Sequence, residues 1–322
     1  MDIRSSLYIL MTAAVLSTAA VSCDDDLPAV ILGQKASDDS GSGGSGINTL
    51  PSEYLKRYEV PQLSDNGIFI EHSALYGSDS VMTYCLEYDA SAMHSRWVAF
   101  RFDNYTGSNN VGRSNEPFTD DPDLPSACRI GSNGFGSAYY DVSGNYQQLP
   151  SNQFDRGHLC ASADRYMSTA ANEQTFYMSN MSPQMSKFNS PYWSAYEAFV
   201  QNRGRSSLYC DTLYVVKGGT IGQGQTLGYV PRTNGAKVTI PKYYFMALLK
   251  CKNNTFEAIG FWMEHKVYDA YTNDAPPTSE IAAHAVTIDE LELHTGIDFF
   301  HNLPDNIEQS VEASYTLSNW GL

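Results

Sequence analysis

Apolar positions fall in short blocks through the middle of the chain. Residues 81–88 and 96–102 alternate apolar and polar side chains, the pattern of paired strands. Residues 208–217, 243–251 and 258–264 are more continuously apolar and predict more deeply buried strands. Helical signatures are fewer. Ser190-Pro191 supplies an N-cap and a first-turn proline for a helix over about 192–202, and Thr287-Ile288-Asp289-Glu290 is a capping box that opens another. Strands outnumber helices without strict βαβ alternation, so the predicted class is α+β. From residue 51 to 322 no linker and no internal repeat appears, which predicts one domain over that span.

The segment before it has a different character. Residues 7–21 form the one long apolar stretch, near fifteen residues, short of the roughly 20 that a membrane-spanning helix needs. It follows Arg4 and ends in Ala19-Ala20-Val21-Ser22-Cys23, the order of a secretory signal peptide over residues 1–22. Cys23 at the junction resembles the lipobox cysteine of bacterial lipoproteins, with Ala20 where leucine is more usual. That resemblance implies an acylated Cys23 as the new N-terminus, a chain anchored by lipid in the bacterial cell envelope, facing periplasm or cell surface, and no transmembrane helix in the mature form. Asp24, Asp25 and Asp26 follow, then the Ser-, Gly- and Asp-rich run 37–46, so residues 23–50 read as a flexible tether. The acidic triplet resembles export signals of some surface lipoproteins, and equally suits the solvated start of a tether.

Charge limits the function. Twenty Lys and Arg against 36 Asp and Glu give the 322-residue chain a net charge of -16, which excludes a basic protein that coats nucleic acid non-specifically. One local basic site remains possible: residues 155–205 hold Arg156, Arg165, Lys187, Arg203 and Arg205 against Asp155, Asp164, Glu173 and Glu197. A phosphate chain is therefore expected over a narrow basic strip, with few contacts and little base-sequence preference. Apart from Cys23 the cysteines are Cys85, Cys128, Cys160, Cys210 and Cys251. Their odd number leaves at least one thiol free, the absence of C-x-x-C spacing argues against a zinc site, and Cys210 with Cys251, both at predicted strand ends, is the candidate disulfide.

The densest chemistry lies at Asp155-Arg156-Gly157-His158. Histidine suits proton transfer near neutral pH, and arginine offers a planar fork to phosphate oxygens. A spacing of two puts both side chains on one face of an extended segment. Downstream come Asn180-Met181-Ser182-Pro183-Gln184, Asn189, Trp193 and Glu197. Asn and Glu oxygens suit a hard cation such as Mg²⁺ that keeps most of its waters. On one continuous helix Asn189 and Glu197 would stand about 12 Å apart along the axis, too far to share an ion directly. With Ser190-Pro191 starting the helix, Asn189 instead lies at its entrance and can bind the ion, and Glu197 reaches it through water.

These blocks and their spacing resemble the sugar-non-specific DNA/RNA endonucleases of the ββα-metal class, the endonuclease G-like family, over about residues 84–300. The resemblance implies a ββα-metal nuclease fold with a mostly antiparallel central sheet flanked by helices, and Mg²⁺, or another divalent ion such as Mn²⁺, as cofactor. It further implies that His158 is the general base, Asn189 the direct metal ligand, Glu197 a carboxylate acting through water, Arg156 a phosphate contact, and Asn180 a residue that shapes the site. Arg113, in Arg113-Ser114-Asn115, resembles the family's other phosphate-facing arginine. Cys160 and the acidic balance depart from the pattern. Two other readings stay open: a phosphodiesterase of narrower substrate range, and a non-catalytic surface lipoprotein that binds nucleic acid or glycan. Lys217-Gly218-Gly219-Thr220-Ile221-Gly222 matches no phosphate-loop motif and reads as a turn, and no G-x-S-x-G elbow is present. His72, His94, His265, His284, His294 and His301 share no ligand spacing and read as surface or capping residues.

Overall fold

In a computed structural model the described residues are 56–149 and 153–322. The proposed signal peptide, Cys23 and the tether lie outside them.

Among the described residues thirteen strands and five α-helices follow one another. The strands are β1 (Ile68–Tyr76), β2 (Asp79–Asp89), β3 (His94–Phe102), β4 (Ala138–Asp141), β5 (Tyr146–Gln148), β6 (Phe154–His158), β7 (Met181–Met185), β8 (Thr212–Gly219), β9 (Thr226–Pro231), β10 (Lys237–Pro241), β11 (Tyr243–Lys252), β12 (Thr255–Glu264) and β13 (Ala285–Val286). The helices are α1 (Thr169–Gln174), α2 (Ser194–Gly204), α3 (Thr278–Ala283), α4 (Ile288–Thr295) and α5 (Asp305–Glu312). A seven-stranded antiparallel sheet in the order β1-β2-β3-β8-β11-β12-β13 forms the centre, β10-β9-β4-β5 form a separate four-stranded sheet, and β6 pairs with β7 as a two-stranded ribbon.

The central sheet is covered on both faces, which explains its long apolar strands. Phe100, Val215, Leu248 and Phe261 face Tyr196, Phe199 and Val200 of α2 on one side. Trp97, Val216, Phe245 and Leu249 face Ile288 and Leu291 of α4 and Val311 of α5 on the other. The two helix starts expected from sequence are present, and the Thr287 hydroxyl accepts the Glu290 N–H at 3.1 Å. Among the described residues no helix is long and apolar enough to cross a membrane.

Four sequence expectations fail for identifiable reasons. Residues 208–211 are not strand; Leu208 is 94% exposed, and β8 starts at Thr212. Gly218 and Gly219 prolong β8 instead of turning, and Lys217, the last residue of the predicted strand, is buried there because Asp164 neutralises its ammonium at 2.9 Å. Cys210 and Cys251 are not bonded; all five described cysteines are free thiols, and burial pushes the Cys160 thiol far up, so it is unreactive. His72, His94 and His265 are buried instead of lying at the surface, because each finds polar partners within the core.

Candidate active site

The site is built on the β6–β7 pair, where Arg156 stands opposite Pro183 and His158 opposite Met181. An extended backbone sends alternate side chains to opposite faces, so Arg156 and His158 share one face, as their spacing predicts. The intervening Gly157 is required, since a Cβ there would stand 2.1 Å from Oε1 of the fully buried Gln184 on β7.

Two buried histidines fasten β7 to its surroundings. His265 Nδ1–H donates to the Pro241 carbonyl at 2.8 Å, which leaves Nε2 to accept the Met185 N–H at 2.8 Å. His94 Nδ1–H donates to the Ser95 carbonyl at 2.7 Å, and its Nε2 accepts the Ser182 hydroxyl at 2.6 Å. Burial pushes both imidazoles down to about 4, so both are neutral at pH 7.

After β7 a helical segment, Phe188–Trp193, leads directly into α2 and is interrupted at Ser190, whose backbone is extended at φ -142° and ψ 127°. Asn189 therefore sits ahead of the continuous helix, as expected. Its Nδ2 donates to Asp155 Oδ2 at 3.1 Å, and Asp155 also accepts the Ser186 hydroxyl at 2.7 Å. With its nitrogen thus engaged, the Asn189 amide has its oxygen free for another partner. Glu197, in the first turn of α2, accepts the Trp193 indole N–H at 3.1 Å. Asn180 is fully buried and braces the turn after His158: its side chain accepts the Cys160 N–H and donates to the Cys160 and Thr175 carbonyls, each at 2.8 Å.

Two rings tie the cations to the histidine. Phe118 and Phe176 lie 5.2 Å apart, and His158 is within 5.8 Å of the first and 5.3 Å of the second. The Arg156 guanidinium rests 3.8 Å from the Phe118 centroid and the Arg113 guanidinium 4.8 Å from that of Phe176. Such stacking fixes the direction of an arginine while leaving its donors available. Arg156 gives one donor to the Ser132 carbonyl at 2.8 Å.

Electrostatics favours a neutral imidazole. Burial pushes His158 down to about 3, and Arg113 repels its protonated form. Its Nε2 is buried and makes no hydrogen bond. Burial pushes the Glu197 carboxyl up, against the pull of the nearby Lys217 ammonium. The Lys217–Asp164 pair behind it is completed by Gln201, whose amide donates to Asp164 Oδ1 at 2.9 Å.

His158, Arg156 and Arg113 are thus gathered on the two rings, Glu197 lies against the same group of charges, Asn189 is tied to β6 through Asp155, and Asn180 stands behind them. The expected basic strip is shorter than composition suggested. Arg165 is fully buried on the Thr83 and Arg101 carbonyls, and Arg203 and Arg205 are spent on carbonyls of Trp320 and Ala163. Sequence reasoning missed Phe118, Phe176, Asp164 and Lys217, and it gave Asp155 only an orienting part toward the arginine or strand end. Only Asp155 carried a local signal, its adjacency to Arg156.

Comparison with known proteins agrees with this architecture. The sequence model of the DNA/RNA non-specific endonuclease family matches residues 64–306. A nuclease of Nostoc sp. is 30% identical over 239 residues, covering 71% of this chain and 75% of that protein. Nuclease C1 of Cunninghamella echinulata is 28% identical over 229 residues, covering 69% and 81%. A nuclease of Serratia marcescens is 25% identical over 234 residues, covering 71% and 77%. A crystal structure of the EndoG/EndoGI complex superposes with a TM-score of 0.52 at 20% identity, covering 74% of this chain and 89% of that one, which shows a shared ββα-metal fold. The fold and the site define an endonuclease. The chain belongs to the DNA/RNA non-specific endonuclease family.

Proposed function

We propose that this protein hydrolyses phosphodiester bonds of DNA and RNA with a divalent cation, with His158 as general base and Asn189 as the direct metal ligand. The observation that carries this reading is the geometry at His158, whose Nε2 has no hydrogen-bond partner and whose ring lies against Phe118 and Phe176, the two rings on which Arg156 and Arg113 stack. The residues present fit a hard cation: Asn189 offers an amide oxygen oriented by Asp155, and Glu197 offers a carboxylate fixed by Trp193. Mg²⁺ is the expected ion, with Mn²⁺ as an alternative, and when bound it would stabilise negative charge at the leaving oxygen.

The remaining work belongs to the side chains. His158 enters the reaction neutral, so its imidazole can take the proton of the attacking water. Arg156 and Arg113 present donors to the non-bridging oxygens, where negative charge grows in the transition state. Asn180 holds the turn that carries His158 and touches no substrate. Backbone-directed contacts of this kind read no bases, in keeping with activity on both nucleic acids.

Circular DNA and an RNA of similar length, each incubated with the purified protein with and without EDTA, test the proposal. Cleavage of both is expected with Mg²⁺, with complete loss under EDTA and restoration when Mg²⁺ is added back. Undiminished cleavage in EDTA would remove the metal from the mechanism.

The lipobox resemblance at Cys23 supports a further part of this proposal, that the protein sits in the bacterial cell envelope, held by a lipid on Cys23, with residues 23–50 as tether and 51–322 as the nuclease domain. The native protein is then expected to partition into detergent and to carry a lipid mass on its N-terminal peptide, while Cys23→Ser is soluble or left uncleaved. A native N-terminal peptide with a free thiol would show that no anchor is attached.

A further inference from the structure

Across the central sheet from α2, the helices α4 and α5 bring carboxylates together without a counter-charge. One oxygen each from Asp289 and Glu292 of α4 and Glu312 of α5 lies within 4.8 Å of the other two. Oxygens that share a calcium ion sit about 2.3–2.6 Å from it, hence at most about 5 Å from one another, so the three fit around one such ion. The charges that act most strongly on Glu312 come from Glu292, Glu308, Asp289 and Asp298, all negative. No ion pair to Asp289, Glu292 or Glu312 exists among the described residues.

A second observation is independent of this crowding. Glu312 is 6% exposed, and its Oε1 is buried with no hydrogen-bond partner. A buried carboxylate oxygen is ordinarily satisfied, because its desolvation is otherwise uncompensated. Glu292 differs. Its Oε1 accepts the Phe299 N–H at 2.7 Å, which fixes the carboxylate and leaves its second oxygen for another partner. The first turn of α4 accounts for Asp289 as an acidic residue at a helix N-terminus, but that effect fades beyond the turn and does not reach Glu312 on another helix.

We infer that Asp289, Glu292 and Glu312 form a calcium-binding site that ties α5 to α4, separate from the candidate active site. Calcium suits it better than magnesium. Beside the Glu292 oxygen that Phe299 engages, the three carboxylates supply up to five oxygens in an irregular arrangement, which calcium accepts at about 2.3–2.6 Å, while magnesium demands a near-octahedral shell at about 2.0–2.1 Å. Glu312 lies beyond the stretch 64–306 that matches the family.

Thermal unfolding of the purified full chain, stripped of metal and then titrated with CaCl2 under saturating MgCl2, tests the site. Tm is expected to rise on the order of 5 °C at a hundredfold excess over Kd. The rise should vanish in Glu312→Gln, a substitution that keeps the side chain's size and removes its charge, and should persist in Asn189→Ala. Asp289→Asn, at an exposed position, supplies the same comparison should Glu312→Gln fail to fold. Equilibrium dialysis with radioactive calcium should find one Mg²⁺-resistant site in the native chain and none in either α4–α5 variant. The absence of a calcium-dependent rise, or an equal rise in the α4–α5 variants, would overturn the assignment and leave a cluster of protonated acids. A rise lost in Asn189→Ala would place the ion at the active site and overturn it equally.

Discussion

His158→Ala is expected to lower cleavage of DNA and RNA by about 10² or more while leaving the fold and DNA binding nearly unchanged, the scale on which a lost general base is felt. The expectation of an intact fold rests on the geometry. The His158 ring makes no hydrogen bond through its buried Nε2, so its removal strands no partner, and the turn behind it is held by Asn180. Binding should persist because Arg156 and Arg113 stack on Phe118 and Phe176 without help from the imidazole. Single-turnover cleavage, a thermal melt and duplex affinity, measured on the same sample, separate these quantities. Near-normal turnover would end the role assigned to His158. A matched loss of melting temperature would show that the residue acts through structure.

The parts of this molecule that sequence made legible are those whose causes are local. Continuous apolar runs announced β11 and β12 because each strand is covered on both faces, and Ser190-Pro191 announced the helix that becomes α2 because the backbone is extended at Ser190 and helical from the proline on. The spacing of Arg156 and His158 sufficed to place both on one face, since a strand's period is fixed. What stayed hidden depends on distant partners. The extension of β8 through Gly218 and Gly219 stayed hidden because nothing nearby shows that Asp164, 53 positions away, neutralises Lys217 inside the strand. Arg165, Arg203 and Arg205 looked available to phosphate because composition does not show which carbonyls have claimed them. His94 and His265 looked like surface residues for the same reason: only the folded chain supplies Ser182 and Met185 as partners.

Acid should destabilise the protein steeply between about pH 6.5 and pH 4, and those two histidines, together with His158, whose value burial lowers to about 3, are the expected origin. In the unfolded chain each titrates at the ordinary 6.5, whereas burial holds His94 and His265 at about 4 in the folded state. Between these values the unfolded chain binds more protons, so stability falls as pH falls. The contribution of His94 and His265 is complete above pH 6.5 and lost by pH 4. At 1.36 kcal/mol per pKa unit, each histidine accounts for about 3 kcal/mol, and the pair for a large part of the 5–15 kcal/mol that typically holds a domain folded. Glu292 and Glu312 have the opposite sign: their folded values are raised, so they gain stability on acidification and flatten the total curve. His265→Gln isolates the histidine term, because the carboxylates titrate alike in both proteins. Urea unfolding at several pH values should show the variant weaker than the native protein at pH 6.5 but falling by about 3 kcal/mol less on the way to pH 4. Since His265 and His94 both fasten β7, cleavage activity should be lost at or above the pH at which the central sheet unfolds, never below it. Parallel pH curves for the two proteins would show that His265 is not what acid attacks.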